Sequence, residues 1–206
     1  VPAARCELLR SPEERAALEY PVVAKICSPD IAHKSDMGGV VANIADPEAL
    51  GRAMAEILAR ARAQQPAARI EGVLVQRMER GLAEAILGYK RDPQVGPVVV
   101  LGVGGVLAEI YRDFAVRLAP VAEEEARAMI EEVKGLAVIR GYRGMPRGDT
   151  AALARAIAAF SQLAYLEPHV AEAEVNPLIV KREGEGVVAV DGLLVLADNG
   201  SAAVAQ

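Results

Sequence analysis

Apolar residues along the chain either alternate with polar ones or recur at helical spacing, so the pattern predicts both strands and helices. Alternation predicts a strand over residues 20–27 that has one apolar face and carries Lys25 on the other. Helical spacing predicts helices that begin at Asp46 and Asp149, both of which are good capping residues. A Ser-Pro-Glu-Glu capping box predicts a further short helix over residues 11–19.

The remaining elements follow from the same patterns. The predicted strands are 5–9, 20–27, 40–44, 70–78, 83–89, 98–101, 106–110, 114–118, 173–181 and 187–196, and a fourth helix is predicted over 122–134. We expect strands 70–78, 83–89 and 98–101 to be consecutive in a second sheet. Because helices and mainly antiparallel strands are mixed without strict alternation, the predicted fold class is α+β in two lobes.

Composition excludes several classes of protein. The net charge is −5, aromatic residues make up 3% and Trp is absent, which argues against a nucleic-acid partner. The longest stretch without charge, residues 94–108, falls short of the ~20 apolar residues that cross a bilayer, so no membrane span is expected. Two cysteines without a CxxC motif predict a reduced compartment, the cytoplasm, and no zinc site.

The two C-terminal strands form a predicted hairpin that carries oxygen ligands. Glu174 and Asn176 share one face of a strand, and a turn centred between Glu183 and Gly184 pairs Asn176 with Asp191, with Cβ atoms about 5 Å apart. Two carboxylates and an amide oxygen suit Mg²⁺ when phosphates and water complete its shell. The alternative is a solvated polar face of an edge hairpin, and a one-residue bulge would move Asp191 to the opposite face.

Two further features near the start of the chain carry candidate chemistry. Lys25 is either an edge charge that reaches for water or a point charge for nucleotide phosphates. In the polar loop that follows, Gly38 and Gly39 let backbone N–H groups approach an anion. The neutral imidazole of His33 in this loop suits attack on a phosphoryl group or acid–base work, although a loop histidine is also a common surface residue.

Seven motifs follow one another in an order that is specific to one family. They are YPVVAKI at 20–26, SPDIAHKSDMGGV at 28–40, EGVLVQRM at 71–78, LGYKRDP at 87–93, GGVLAE at 104–109, RLAP at 117–120, and EVNPL at 174–178 followed by Asp191. The sequence resembles the ATP-grasp domain, or beta subunit, of ADP-forming acetyl-CoA (acyl-CoA) synthetases, which are similar to succinyl-CoA synthetases. The resemblance covers residues 1 to about 196.

The resemblance implies an ATP-grasp fold, in which two α+β lobes hold the nucleotide between them. The N-terminal lobe is expected over 1–75, without the family's first helix, and the C-terminal lobe over 76–197, followed by a tail at 198–206. His33 is implied as the phosphoryl carrier, and Asn176 and Asp191 as Mg²⁺ ligands supported by Glu174. The contacts to ATP or ADP are implied at Lys25, Gly38, Gly39, Val75, Gln76, Arg77, Met78, Glu84 and Arg117.

The implied activity is that of one half of a ligase, which catalyses acyl-CoA + ADP + phosphate ⇌ acid + CoA + ATP with a CoA-binding half as partner. Two alternatives remain. One is a regulatory, catalytically silent domain fused to a lysine acetyltransferase, which has no need of His33. The other is a structural module whose pocket has decayed, which would not need to retain Lys25, Asn176 and Asp191 together.

Overall fold

The computed structural model describes residues 1–31, 34, 37–105, 112–166, 169–197 and 204–205. These residues form two compact units, one of Ala4–Met78 and one that joins Val1–Ala3 to Glu79–Ala205. None of the helices in this part of the chain is long and apolar enough to cross a membrane.

The unit Ala4–Met78 is a four-stranded antiparallel sheet covered on one face by a helix. Its strands are β1 (Cys6–Leu9), β2 (Val22–Cys27), β3 (Val40–Ile44) and β4 (Gly72–Arg77), in the order β1-β4-β2-β3. The helix α1 (Pro47–Gln64) begins where the Asp46 side chain accepts a 2.7 Å hydrogen bond from the Ala49 N–H, as its capping position predicts. The apolar face of α1 buries residues at helical spacing, namely Leu50, Ala53, Met54, Ile57, Leu58 and Ala61.

The second unit is a larger antiparallel sheet with two helices on one face. Its strands are β5 (Ala83–Asp92), β6 (Gly96–Val103), β7 (Phe114–Leu118), β8 (Val170–Val180), β9 (Val187–Ala189), β10 (Gly192–Leu196) and β11 (Val204–Ala205). The order is β11-β10-β8-β5-β6-β7, and β9 pairs with β8. The helices are α2 (Glu123–Glu132) and α3 (Thr150–Ser161), with short 3-10 turns at Lys134–Ile139, Tyr142–Gly144 and Gln162–Tyr165.

The core of the second unit lies between the sheet and its helices. Met129 of α2 and Ile157 of α3 are completely buried there, in one cluster with Leu87 and Leu101 of the sheet. The N-terminal residues also join this unit, because the Ala189 N–H donates to the Pro2 carbonyl oxygen at 2.8 Å. Ala3 forms a parallel bridge with Ala189. The α+β class is therefore confirmed, with each sheet packed on its own helices.

The predicted helix over residues 11–19 is wrong, since this segment holds only a turn and irregular structure. The Ser11 carbonyl accepts from the Glu14 N–H at 3.1 Å, which closes one turn, but no helical ladder follows. Instead, the Glu7 carboxylate accepts from the Ala17 N–H at 2.9 Å, and the Leu18 side chain is buried in the core. Tertiary contacts therefore replace the helix that the capping box favoured.

The predicted placement of strand 70–78 in the second sheet is also wrong. This strand is β4, which lies between β1 and β2 in the first sheet. Its residues Val73 and Val75 are completely buried in the core that α1 covers, so burial assigns the strand to the first unit. The predicted strand over 106–110 lies outside the described residues.

Candidate functional site

Lys25 lies on an internal strand and not at a sheet edge. The strand β2 is bonded to β4 on one side and β3 on the other, and Lys25 pairs with Leu74 and Val40 across these two ladders. Its side chain is 5% exposed. The edge-charge interpretation is therefore excluded, because a lysine that reaches for water keeps its ammonium group exposed. A lysine at this depth needs compensating partners for its charge.

Gln76 shares the sheet face of Lys25. On β4, Gln76 pairs with Val23 of β2, and paired residues project to the same side, whereas Val75 faces the core. Gln76 is 4% exposed, and its Oε1 atom has no hydrogen-bond partner among the described residues. A buried amide oxygen without a donor costs free energy, so this face presents an acceptor that a ligand can satisfy.

Arg77 and Met78, which the resemblance also implies as nucleotide contacts, use their backbone donors within the first unit. The Arg77 N–H donates to the Arg5 carbonyl at 3.0 Å, and the Met78 N–H donates to the Pro21 carbonyl at 3.2 Å. The Arg77 guanidinium lies 3.8 Å from a Glu19 carboxylate oxygen. These two N–H groups are thus engaged, and Gln76 carries the polar atom of the segment that lacks a partner in the described structure.

The two loop glycines have structural roles of their own. The Gly39 N–H donates to the Lys34 carbonyl at 2.8 Å, and a Cβ on Gly39 would lie 2.7 Å from Ile26 Cγ2. Gly38 adopts φ +66°, a left-handed conformation that favours glycine, and its carbonyl accepts from Arg60 Nη1 at 3.2 Å. Packing and backbone conformation therefore account for both glycines. His33 lies outside the described residues.

The C-terminal hairpin has the register that the sequence predicted. The Asn176 N–H donates to the Asp191 carbonyl oxygen at 3.0 Å, so the two residues face each other where β9 ends and β10 begins. Glu174 pairs with Leu193, and the register shift of this strand pair falls at Val195 and beyond, away from Asp191. The bulge that would have moved Asp191 to the other face is absent from this point of the hairpin.

Side-chain contacts orient the hairpin ligands. Asn176 Nδ2 donates to Glu174 Oε1 at 3.1 Å, which directs the amide nitrogen towards that carboxylate. Asp191 Oδ1 accepts from the Gly192 N–H at 3.0 Å. Asn176 is exposed, whereas Glu174 and Asp191 are half-buried. The Asn176 amide and the Asp191 carboxylate thus lie at the same level of the hairpin, and the Glu174 carboxylate lies two residues before Asn176 within hydrogen-bond distance of its amide.

This set is not a complete metal cage. Within the described ranges, no three His, Cys, Asp or Glu side chains are grouped closely enough to hold a metal ion. Two carboxylates and one amide oxygen fit a hard cation that keeps water and phosphate oxygens in its shell, which is how Mg²⁺ is usually bound with nucleotides. The donor chemistry therefore fits Mg²⁺ only together with a ligand that supplies further oxygens.

Glu84 and Arg117 lie on opposite faces of the second sheet. Glu84 precedes the core residue Ala85 and is exposed on the face away from the helices, the same face as Glu174. Arg117 pairs with the core residue Val99 on the helix-covered side. There its Nη2 lies 2.7 Å from Glu132 and its Nε 3.6 Å from Glu125, both on α2. Glu84 is thus on the hairpin side, and Arg117 is not.

The sequence did not reveal the full role of Asp149. Its side chain caps α3 through the Ala152 N–H at 2.8 Å, as predicted, and also accepts from the N–H groups of Gly184 and Gly186, each at 3.0 Å. Burial alone would raise the pKa of Asp149, but the three N–H donors outweigh burial and hold the pKa below its ordinary value of 3.8. Asp149 thereby fixes the tip of the hairpin that carries Asp191.

A family model of the ATP-grasp domain matches residues 1–196 of the chain. The acetate–CoA ligase [ADP-forming] I of Archaeoglobus fulgidus is 44% identical over 172 residues, which cover 84% of this chain and 25% of that protein. The acetate–CoA ligase [ADP-forming] II subunit beta of Pyrococcus furiosus is 39% identical over 191 residues, which cover 92% of this chain and 80% of the subunit. The chain therefore spans a quarter of the first relative and most of the second.

Solved structures of one synthetase are also similar. The dinucleotide forming acetyl-coenzyme A synthetase 1 of Ca. Korarchaeum cryptofilum, in complex with coenzyme A, Ca-AMPCP and HgCl⁺, matches with a TM-score of 0.87 and 37% identity, over 95% of this chain and 86% of that one. A second structure of it contains coenzyme A and Mg-AMPPCP, with a phosphohistidine segment pointing towards the nucleotide binding site. It matches with a TM-score of 0.79 and 34% identity, over 95% and 85%.

Proposed function

The chain belongs to the ATP-grasp domain family, and on this basis we propose that it is the nucleotide-binding part of an ADP-forming acyl-CoA synthetase. It is homologous to beta subunits of ADP-forming acetate–CoA ligases and has their ATP-grasp fold. The proposed overall reaction is acyl-CoA + ADP + phosphate ⇌ carboxylic acid + CoA + ATP. The CoA-binding half is the proposed partner, and the cytoplasm is the proposed place of reaction.

Lys25 and Gln76 are proposed to bind the nucleotide. A buried ammonium group stabilises phosphate charge strongly because water does not screen it. The adenine exocyclic amino group is a donor, and Gln76 Oε1 is a buried acceptor without a partner in the described part of the chain. The two side chains share one sheet face, which supports a common ligand. Glu84 is proposed on the ribose side.

The hairpin is proposed to hold Mg²⁺ through Asn176, Asp191 and Glu174. The observation that carries this proposal is the pairing of Asn176 with Asp191 across the hairpin. Bound Mg²⁺ neutralises phosphate charge during phosphoryl transfer. The hairpin residues would hold the metal and through it the phosphate group, and the 3.1 Å hydrogen bond from Asn176 Nδ2 to Glu174 Oε1 keeps the ligands oriented.

His33 is proposed as the phosphoryl carrier between the two halves of the enzyme. Its imidazole would accept a phosphoryl group from a histidine of the CoA-binding half and pass it to ADP. The similarity to a synthetase that has a phosphohistidine segment supports such chemistry. Gly38 and Gly39 end the loop that carries His33, and Arg60 holds the Gly38 carbonyl at this end.

The alternative of a silent regulatory domain fused to a lysine acetyltransferase gains no support. Each relative described above is named as a CoA ligase or synthetase. A silent domain also has no use for a phosphoryl carrier at position 33. We therefore keep the ligase role as the proposal.

Calorimetric titration of the chain with ATP and with ADP, each with and without Mg²⁺, tests the proposal. We expect saturable binding that is tighter with Mg²⁺, because the hairpin ligands act on the metal–phosphate complex. A control titration with AMP separates adenine binding from phosphate binding. Absence of any nucleotide binding, both by this chain and after the CoA-binding half is added, would contradict the proposal.

A further inference from the structure

A loop of the second unit exposes six consecutive residues, 142–147, with the sequence Tyr-Arg-Gly-Met-Pro-Arg. We call these residues the YRGMPR loop. The exposed fraction is 54% for Tyr142 and 45% for Met145. No residue of the 3-10 turn Tyr142–Gly144 is buried. The side chains of the loop therefore do not contribute to the hydrophobic core.

The base of the loop is held firmly by backbone contacts. The Gly148 N–H donates to the Ile139 carbonyl at 2.8 Å, and Arg140 and Arg147 form an antiparallel bridge. Gly148 itself is buried, and a Cβ there would lie 2.7 Å from Ile139 Cβ. The loop thus begins and ends at a bridged pair of residues, which holds its two ends together.

The tip of the loop has an uncommon backbone conformation. Arg143 has φ 51° and ψ 36°, in the left-handed region that L-residues other than Gly, Asn and Asp seldom occupy. Gly141 and Gly144 on either side also have positive φ, 83° and 79°. A hydrogen bond of 3.1 Å from the Met145 N–H to the Tyr142 carbonyl closes the turn. The strained conformation displays Tyr, Arg and Met side chains together on one exposed turn.

The charge of the loop is opposite to that of the chain. Residues 140–147 contain three arginines and no acidic residue, whereas the chain carries a net charge of −5. Arg140 is used internally, because it bonds the carbonyls of Ile130 and Glu131. Arg143 lies 5.2 Å from the ring of Tyr142, and no ion pair is seen for Arg143 or Arg147 within the described structure. Two guanidinium groups are therefore available to an outside partner.

We propose that the YRGMPR loop is a docking surface for the other half of the synthetase, and that it binds an apolar pocket with a carboxylate rim. Tyr, Arg and Met are the residues enriched at protein interfaces, where Tyr and Arg also dominate the binding energy. A loop that is already held in one conformation loses little entropy when it binds. This inference rests on the proposed function, since that function supplies the partner.

The partner is a protein and not a small anion. The two arginines stand on an exposed turn without a buried cradle, so water screens their attraction for a free phosphate. The half-exposed Tyr142 and Met145 side chains need an apolar surface to cover them. The similar ligase of A. fulgidus has three quarters of its length outside the matched segment, and the P. furiosus relative is named as a subunit. In such relatives the partner is further polypeptide of the same protein or another subunit.

Hydroxyl-radical footprinting tests the proposal, because Tyr and Met side chains are oxidised according to their exposure. The oxidation rates of Tyr142 and Met145 are measured in this chain alone and in the complete synthetase, with Tyr165 as the internal control. Tyr165 is 70% exposed and lies outside the loop. We expect protection of Tyr142 and Met145, about tenfold, in the complete enzyme only, as for contacts buried at the centre of an interface.

A charge-reversal variant identifies the contact. If the two halves are separate subunits, we expect Arg143→Glu/Arg147→Glu to raise the dissociation constant between them about tenfold or more. If they are fused in one polypeptide, we expect the oxidation rate of Tyr142 in the complete enzyme to rise by a similar factor. Arg127→Glu is the matched control, since Arg127 is exposed and, among the described residues, forms an ion pair only with Glu123 on its own helix. Mg-ATP binding by the chain should be unchanged in both variants. Failure of the unsubstituted chain to bind Mg-ATP would count against the proposed function and not against the docking surface.

Three outcomes would overturn the docking proposal. Equal oxidation of Tyr142 in the chain alone and in the complete enzyme would show that nothing covers the loop. Protection that grows with the concentration of the isolated chain would assign the loop to a second copy of this chain. Protection of the isolated chain by inorganic phosphate or CoA would assign it to an anionic small molecule.

Discussion

Asn176 and Asp191 face each other across the C-terminal hairpin, joined by a 3.0 Å hydrogen bond from the Asn176 N–H to the Asp191 carbonyl. This pairing fixes the two side chains at the same level of neighbouring strands. Glu174 lies two residues before Asn176 on the same face, and its Oε1 accepts a 3.1 Å hydrogen bond from the side-chain Nδ2 of Asn176. The hairpin therefore holds oxygen atoms that can bind a metal ion in fixed positions before any ligand is added.

Asp191→Asn should reduce the effect of Mg²⁺ on nucleotide affinity. Loss of one charge-assisted contact, worth about 1.5–3 kcal/mol, corresponds to a weakening of about 10- to 100-fold in the presence of the metal. Binding without Mg²⁺ should change little. Glu172→Gln is the control, because Glu172 is exposed on the facing strand β8 but pairs with Val195, away from Asp191. If calorimetry shows that Mg²⁺ strengthens nucleotide binding equally in Asp191→Asn and in the unsubstituted chain, Asp191 is not a metal ligand.

Lys25→Met should weaken ATP and ADP binding. Methionine keeps the length of the side chain at this buried position but removes the charge that attracts phosphate. We expect affinity to fall about tenfold or more, as for a charged hydrogen bond in a buried site. Lys90→Met, at an exposed position of the other sheet, is the control. Equal affinities in the two variants would contradict a phosphate role for Lys25.

His33→Ala in the complete enzyme should abolish phosphate exchange while nucleotide affinity stays nearly unchanged. A carrier forms a covalent bond with the phosphoryl group but adds little to the binding of ADP. His169→Ala is the control, since His169 is the second of the two histidines of the chain and its Nδ1 contacts the Leu166 carbonyl at 3.3 Å. Undiminished turnover of His33→Ala would exclude the carrier role.

Asp149→Asn should destabilise the second unit and make its free energy of unfolding depend less on pH in the acid range. The folded state lowers the pKa of Asp149, so its contribution to stability is complete above the ordinary pKa of 3.8 and is lost as the pH falls through the lowered value. Replacing a buried carboxylate that accepts three N–H bonds should cost about 1–3 kcal/mol of unfolding free energy. Urea titrations between about pH 2.5 and about pH 7, a range that spans the carboxyl pKa values, measure the free energy of unfolding and its dependence on pH.

Asp46→Asn provides the comparison for this experiment. Asp46 caps α1 with the Ala49 N–H and makes no hairpin contact. Because Asn caps a helix about as well as Asp, its replacement should cost less, about 0.3–0.5 kcal/mol through the lost charge at the helix N-terminus. If both variants lose the same stability, the contacts of Asp149 with Gly184 and Gly186 contribute nothing beyond capping.

Gly39→Ala should lower stability because the new Cβ would lie 2.7 Å from Ile26 Cγ2 and 2.8 Å from the Lys34 carbonyl. Relief of this overlap has to move backbone, at a cost of about 1–3 kcal/mol. Gly88→Ala is the control, since the nearest atom to its Cβ is Val100 Cβ at 3.7 Å, an ordinary contact. Thermal unfolding that places both variants at the same midpoint would contradict the packing described for Gly39.

The sequence pattern predicted the structure correctly where interactions between residues close in sequence determine it. The capping of α1 by Asp46 and the register of the C-terminal hairpin were both predicted, because a cap involves neighbouring residues and a short turn fixes a register. The capping box over residues 11–19 failed because Glu7, distant in sequence, binds the Ala17 N–H. Strand β4 was assigned to the wrong sheet because alternation does not specify which strands pair.

The candidate site divides in the same way. The shared face of Glu174 and Asn176 follows from strand periodicity, and so does the orientation of Lys25 away from the core. The burial of Lys25 and Gln76 does not, since it depends on their strands being internal to the sheet. The hairpin contacts of Asp149 were also hidden, because they join residues more than 30 positions apart.

The attachment of Val1–Ala3 to Ala189 has a consequence for synthesis on the ribosome. These residues precede the whole unit Ala4–Met78, yet their backbone partner is made after nearly all of the second unit. The unit Ala4–Met78 has its four strands and its helix within one uninterrupted stretch and can fold while the rest is translated. The second unit closes its last strand contacts only when both distant parts of the polypeptide have emerged, so its completion is the late step.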